Sequence, residues 1–317
     1  MSQQVKLVCP NRAKKLLQPV LRTLFPTLDE RVRVRIRQRD DRRYWRQQVD
    51  LFERLSDVAG KPSHIEIETI SRCNSTCAFC PVNRSVDPRP FQRMEAELFH
   101  RIIDDLAAWD YDRVLNLYSN NEPFLDKRIF EFAAYAHSRL PRAIIRISSN
   151  GTALDVDKVE RILPSLSRLT ISDYNDRLAL HDHVRAIIEH LNAHQPALAA
   201  KVVVCLRQLD EVKTNRAGRA PNRTVETATY RSRCAYPFFQ MVIRPDGKVS
   251  LCCNDALGEV TLGDVAQNSV RHVWHSAERQ RVQEAMRAGR DKLPICSKCD
   301  TMSAAKPRRI RKAIRRE

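Results

Sequence analysis

Cys73, Cys77 and Cys80 are spaced C-x3-C-x2-C, and Phe79 stands directly before the last of them. Three thiolates so close can each take one iron of a [4Fe–4S] cluster, a group that usually takes four cysteines. The iron left over is open, and an open metal position is where chemistry happens. Zinc sites favour C-x2-C pairs completed by another pair or by histidines, which a lone C-x3-C-x2-C fits poorly.

The remaining cysteines fall mostly late in the chain. Cys234 precedes a strand-like run over 238–244, a Pro245-Asp246-Gly247 turn and a returning strand over 248–251. The hairpin ends in Cys252-Cys253, and Cys296-Ser297-Lys298-Cys299 follows a helical stretch over 278–286. Cys234, Cys252, Cys296 and Cys299 make four thiolates, one complete tetrahedral or cubane site; a structural zinc ribbon has the same donors. Neighbouring strand residues point to opposite faces, so only one of Cys252 and Cys253 is expected to ligate. Cys9 and Cys205 lack spaced partners and read as structural. His190 and His194 stand four apart on a predicted helix, yet no carboxylate motif accompanies them, and they read as surface residues.

The elements that must position these groups follow a regular alternation. Residues 63–70 alternate polar and apolar and predict a strand running into the cysteine loop. Strands are predicted over 113–118, 143–148, 168–172 and 201–206, and helices over 94–109, 126–140, 156–163 and 183–192. That repetition argues for parallel strands with right-handed crossovers, too few for a closed eight-unit barrel. No sixth strand is evident in the polar stretch 207–233. Ahead of residue 61, a helix over 13–24, a strand over 31–37 (or a helix with an arginine stripe) and a helix over 44–55 form an accessory segment.

In parallel α/β folds ligands gather at the C-terminal ends of strands. The second strand ends in Ser119-Asn120-Asn121-Glu122-Pro123, the third in Ser148-Ser149-Asn150-Gly151-Thr152, and the fourth in Ser172-Asp173-Tyr174-Asn175. Glu122 suits an ammonium group, and Asp173 a hydroxyl or ammonium, although both segments are also plain turn sequences.

C-x3-C-x2-C with an aromatic before the third cysteine resembles the motif of the radical S-adenosylmethionine (SAM) superfamily. The resemblance implies a partial (β/α)6 TIM-like barrel, open on one side, over residues 61–230. It implies a [4Fe–4S] cluster on Cys73, Cys77 and Cys80 whose open iron binds SAM. An electron then cleaves SAM to a 5′-deoxyadenosyl radical that takes a hydrogen atom from substrate. It also implies a cellular one-electron reductant such as flavodoxin or ferredoxin. Asn121 and Glu122 resemble the family's GGEP segment with both glycines replaced. Ser149 and Asn150 resemble its TNG segment. Phe79 would lie against the adenine, and Ser172 would face SAM or substrate.

The late cysteines resemble the SPASM and twitch extensions that hold auxiliary clusters. With four thiolates here, this implies one further [4Fe–4S] cluster in a small hairpin-and-helix module over 231–303. A spare Cys253 thiol near the radical could donate a hydrogen atom, giving epimerisation in place of oxidation. Four-cysteine modules resemble those of enzymes acting on small hydroxylated substrates such as aminocyclitols and sugars. A peptide maturase with residues 1–60 as leader-binding part is the alternative enzyme reading. A nucleic-acid-binding Fe–S or zinc protein is the alternative of another class.

The chain has 317 residues and carries a net charge of +17, concentrated between Arg31 and Arg46 and in a tail over 304–317. Such basic ends favour an anionic partner. No apolar run is long enough to span a bilayer, and the N-terminus lacks a signal-peptide core. Ten cysteines with no secretory signal suggest a reducing compartment, the cytoplasm.

Overall fold

The computed structural model describes residues 4–8, 60–223 and 233–301. The elements expected over 13–24, 31–37 and 44–55, and the basic tail, lie outside the described residues.

The cysteine loop hangs from β2 (His64–Ile67), and the predicted alternation follows it in order: α1 (Ala96–Ala108), β3 (Val114–Asn116), α2 (Ile129–Arg139), β4 (Ile144–Ser149), α3 (Val156–Ile162), β5 (Arg168–Tyr174), α4 (Asp182–His194) and β6 (Val202–Arg207). Local signals set these bounds. Asp155 caps α3 by accepting from the Lys158 amide at 2.8 Å. Helix α1 buries Phe99, Ile102, Ile103 and Leu106 at helical spacing, and Phe99 stacks on Phe132 of α2 with ring centroids 4.1 Å apart.

The sheet order is β1-β6-β5-β4-β3-β2-β7-β8-β9. Seven neighbouring strands run parallel, and β8 (Lys248–Ser250) and β9 (Thr261–Asp264) turn back antiparallel. The first and last strands are the two edges, so the sheet is open, as a partial barrel must be. Two strands join from unexpected places. Lys6–Val8 forms β1 on the edge of β6, so the early segment contributes to the same sheet. Gln240–Ile243 forms β7, parallel to β2. The hairpin expected as a separate module thus supplies the strand missing after β6, and the polar stretch following β6 contains no strand among its described residues.

Ile145 and Ile147 of β4 are 1% exposed and pack with Val159 and Ile162 of α3 in one continuous core. Helices α5 (Val270–Trp274) and α6 (Ala277–Ala288) close the C-terminal end, capped by Ser269 and Ser276. Among the described residues no helix is long and apolar enough to cross a membrane.

Candidate functional site

Parallel strands covered by helices on both faces read as continuous apolar runs. Here the helices cover one face, and alternate residues turn to the other. Because Ile145 and Ile147 face the helices, Arg146 and Ser148 face the concave side. The register carries this face across the sheet: Glu66 lies beside Asn116, Asn116 beside Arg146, His64 beside Gln240, Ser172 beside Cys205, and Tyr174 beside Arg207. The result is a polar lumen. Its signal was present in His64-Ile65-Glu66-Ile67-Glu68, whose charged residues alternate on a strand in mid-sheet.

Cys73, Cys77 and Cys80 sit at the C-terminal mouth of this lumen and are free thiols. Burial pushes the Cys73 thiol up to about 12 and the Cys77 thiol upward, so thiolates there need a cation. Local amides prepare the loop. Ser75 donates its amide to Cys73 Sγ at 3.5 Å, and its hydroxyl is 3.0 Å from Cys77 Sγ. Phe79 has Lys213 Nζ 3.8 Å above its ring. Burial pushes the Lys213 ammonium down to about 8.

Glu122 is 1% exposed. Its carboxylate accepts from Ser149 Oγ at 2.8 Å, the Asn150 amide at 2.7 Å and the Phe124 amide at 3.2 Å. Among the described residues no Lys, Arg or His pairs with it, and burial pushes its pKa up. A buried carboxylate beside Cys73 with no cation of its own fits an arriving ammonium group. Asn150 places its amide 2.7 Å from Asn74 Oδ1 and 3.9 Å from Cys73 Sγ. Asn121 accepts from the Ser119 amide at 3.0 Å, while its buried Nδ2 has no acceptor, a donor left over for a ligand.

Below the mouth, Glu68 accepts from the Asn120 amide at 2.7 Å and pairs with Arg89 at 3.2 Å. Glu66 is held by Ser119 Oγ and by Gln240 Nε2 at 2.9 Å. Ser119 and Asn120 belong to the strand-end motif, but Glu66, Glu68, Arg89 and Gln240 were not singled out from the sequence. Nor was the connection after β6. There Leu209 accepts from Ala78 of the cysteine loop at 2.8 Å, Arg216 reaches Asn120, and Asn215 accepts from the Asp300 amide at 3.1 Å.

The four late thiols meet. Cys234, Cys252, Cys296 and Cys299 line one pocket together with Tyr236, Leu251 and Met286. Four thiols around one pocket are the donor number that a [4Fe–4S] cluster takes. Burial pushes Cys252 and Cys296 up, and the neighbouring thiols add to it. Cys253 is not in this lining. Its amide donates to Gln240 Oε1 at 3.0 Å, and its thiol, pushed up to about 12 by burial and by Glu66, lies toward the lumen.

Other singled-out residues stay apart from these groups. Asp173, 2% exposed, accepts from the His181 amide at 3.0 Å and pairs with its ring, so its carboxylate is engaged at the helix side. Ser172 faces the lumen beside Cys205. His190 bonds Glu160 at 2.9 Å on the outer surface. Cys9 lies outside the described residues.

The radical SAM superfamily model matches residues 67–185, and the SPASM iron–sulfur cluster-binding domain model matches residues 234–300. The chain is 25% identical over 244 residues to the S-adenosyl-L-methionine-dependent 2-deoxy-scyllo-inosamine dehydrogenase of Niallia circulans, 76% of this chain and 94% of that protein. It is 33% identical over 91 residues, 29% of this chain and 22% of that one, to the Fe-coproporphyrin III synthase of Methanosarcina barkeri. In fold it resembles the crystal structure of BtrN in complex with AdoMet and 2-DOIA, with a TM-score of 0.65 and 24% identity over 76% of this chain and 93% of that one. BtrN in an open conformation gives 0.55 and 20% over 75% and 92%.

Proposed function

The chain is a radical SAM enzyme with a SPASM module, and from that premise we propose that it oxidises a small hydroxylated substrate of the sugar or aminocyclitol kind. One observation carries this reading: a single polar lumen runs from the three-thiol loop to Cys253 and Gln240, beside the four-thiol cavity. Its carboxylates, amides and hydroxyls suit a small ligand dense in hydroxyl groups. The likeness to a dehydrogenase named for an aminocyclitol amine spans most of both chains and supports the same class.

When bound, a [4Fe–4S] cluster on Cys73, Cys77 and Cys80 with SAM supplies a hydrogen-abstracting radical, and a second [4Fe–4S] cluster on Cys234, Cys252, Cys296 and Cys299 supplies a one-electron acceptor. The chain's own side chains bind and orient. Glu122 offers its buried charge to the SAM ammonium, Asn150 and Asn121 offer amide hydrogens, and Phe79 offers a ring face once Lys213 moves aside. The described part of the connection after β6 packs on the mouth, where Leu209 accepts from the Ala78 amide and Arg216 reaches Asn120. Cleaving SAM consumes an electron, so a reductant such as flavodoxin or ferredoxin completes the system in a reducing compartment such as the cytoplasm.

A second reading, inversion of a carbon centre, is favoured by Cys253, whose thiol faces the lumen while Cys252 faces the cavity. Its S–H bond would break as the new C–H bond forms, and the thiyl radical left would take one electron from the reductant, by way of the auxiliary cluster, and one proton from solvent. One anaerobic experiment tests both. Wild type and a Cys252→Ser variant are assayed for iron, and wild type and a Cys253→Ser variant for deoxyadenosine and product with a panel of aminocyclitols and sugars. About eight irons should fall to about four in Cys252→Ser, and Cys253→Ser should still form a ketone. If wild type with both clusters forms no deoxyadenosine above background with any hydroxylated compound, the substrate class is wrong. Loss of product in Cys253→Ser alone would establish inversion.

A further inference from the structure

Oxidising an alcohol to a ketone removes a hydrogen atom from carbon, one electron and one proton. The hydrogen atom and electron have acceptors in the reading above; the proton of the hydroxyl does not. We infer that Ser119, Glu66 and His64 form a proton path that carries it from the mouth of the lumen to the opposite end of the sheet. This rests on the dehydrogenase reading and adds the group that takes the proton.

Glu66 and His64 are two residues apart on β2, hence on the same face, with Glu66 nearer the mouth. Glu66 is 7% exposed. Ser119, at the mouth, donates its hydroxyl to Glu66 Oε2. The other carboxylate oxygen, Oε1, is 3.0 Å from His64 Nε2. The His64 side chain is 26% exposed, so the chain of bonds begins in the lumen and ends at solvent. The substrate O–H bond breaks as its proton passes to Ser119 Oγ, while the Ser119 proton passes to Glu66. Glu66 then protonates His64 Nε2, and His64 releases a proton to water from the other ring nitrogen.

Asn116 makes the last step reversible in kind. Its Nδ2 is 2.7 Å from His64 Nε2 while its buried Oδ1 has no partner. In the tautomer with Nδ1 protonated, the single lone pair of Nε2 accepts from Nδ2, and the Asn116 amide must give up that bond for Nε2 to take the Glu66 proton. With the amide turned over, Oδ1 accepts from the newly formed Nε2–H. Other groups face Glu66 without competing. Gln240 from β7 is a donor only at this contact. Tyr118 holds its proton because burial raises its pKa. Cys253 holds its proton, because burial and the Glu66 charge push its thiol up, and Arg146 is a cation beside Asn116 on the same face. The neighbouring Glu68 is committed to Arg89.

The test uses anaerobic holoenzyme of wild type, Glu66→Gln, His64→Gln and Ser119→Ala with a substrate that wild type oxidises. In Glu66→Gln, deoxyadenosine carrying the substrate hydrogen should still form, while ketone per deoxyadenosine falls about 100-fold, the usual scale of a lost acid–base group. His64→Gln should lower that ratio about 10-fold and be partly rescued by imidazole. A protonated-carboxyl band should appear in the infrared difference spectrum of a single turnover and be missing in Glu66→Gln. Ser119→Ala, which leaves the Glu66–His64 contact in place, carries the test if Glu66→Gln fails to load iron. Equal ketone per deoxyadenosine in all four proteins, with no carboxyl band in wild type, overturns the path and leaves the dehydrogenase reading standing. Absence of deoxyadenosine in wild type overturns that reading instead.

Discussion

Ser149 donates its hydroxyl to Glu122 at 2.8 Å, with both side chains buried. This bond ties the end of β3 to the end of β4, and the adjacent Asn150 amide makes a second tie at 2.7 Å. Glu122→Gln would turn one acceptor oxygen into a carboxamide NH2 facing a donor, leaving a buried N–H unpaired. That costs about 1–3 kcal/mol of stability. It also removes the charge that we propose meets the SAM ammonium. We expect at least tenfold weaker SAM binding by isothermal titration of the cluster-loaded protein, with a lowered melting temperature. Unchanged SAM affinity would make Glu122 a structural tie alone.

Gly151 follows directly, at φ +83°. An added Cβ would stand 2.8 Å from Cγ2 of Ile171 on β5, and the backbone conformation is itself disfavoured for L residues. Gly151→Ala is expected to destabilise the protein by about 1–3 kcal/mol through both effects, seen in the denaturant midpoint. Asn150 would shift away from Cys73, so iron retained after gel filtration should fall as well. A variant with wild-type midpoint would show that Ile171 yields without cost.

The cysteine loop, the parallel order of β2 to β6 and the four late thiols were legible because each is written locally, in residue spacing or strand alternation. Lys6–Val8 was not, because three residues carry no periodicity and their pairing with β6 spans most of the chain. The role of Gln240–Ile243 was hidden for a related reason: a hairpin reads the same whether or not its first strand joins another sheet. Glu66 and Glu68 were visible as alternating charges, but only the burial of β2 in mid-sheet makes them informative. That Cys252 lines the pocket and Cys253 does not is written in the fold and not in the sequence.

Arg290 is 1% exposed and donates to the carbonyls of Cys299 at 2.7 Å, Thr301 at 3.1 Å and Arg233 at 3.1 Å. It therefore clamps the segments flanking Cys234 and Cys299, two walls of the cavity. Arg290→Met keeps the bulk but leaves buried carbonyls unbonded, each costing about 1–3 kcal/mol. Iron per chain should fall from about eight to about four, with the SAM-cleaving cluster retained. Anaerobic iron analysis together with SAM cleavage measures both. Full iron content would place the clamp's role in folding and not in holding the cavity.

Asp126 sets an acid limit on the fold. Its side chain is fully buried and pairs with Arg128 at 2.8 Å and Arg93 at 3.2 Å. Burial alone pushes its carboxyl up, but the hydrogen bonds and charge of Arg128, with Arg93, outweigh that and hold it below the ordinary value of 3.8. A depressed native pKa means the unfolded chain takes up the proton first, so stability is fully present above the unfolded value and drains as pH falls through the native one. The loss should begin near pH 4 and continue below it. In Asp126→Asn this part of the pH dependence should disappear, and the variant should be about 1–2 kcal/mol less stable at neutral pH, since the charge-assisted bonds to Arg128 and Arg93 are lost while both cations keep access to water. Urea midpoints for both proteins between pH 3 and pH 7 measure the slope. Parallel curves would assign the acid sensitivity to other carboxylates.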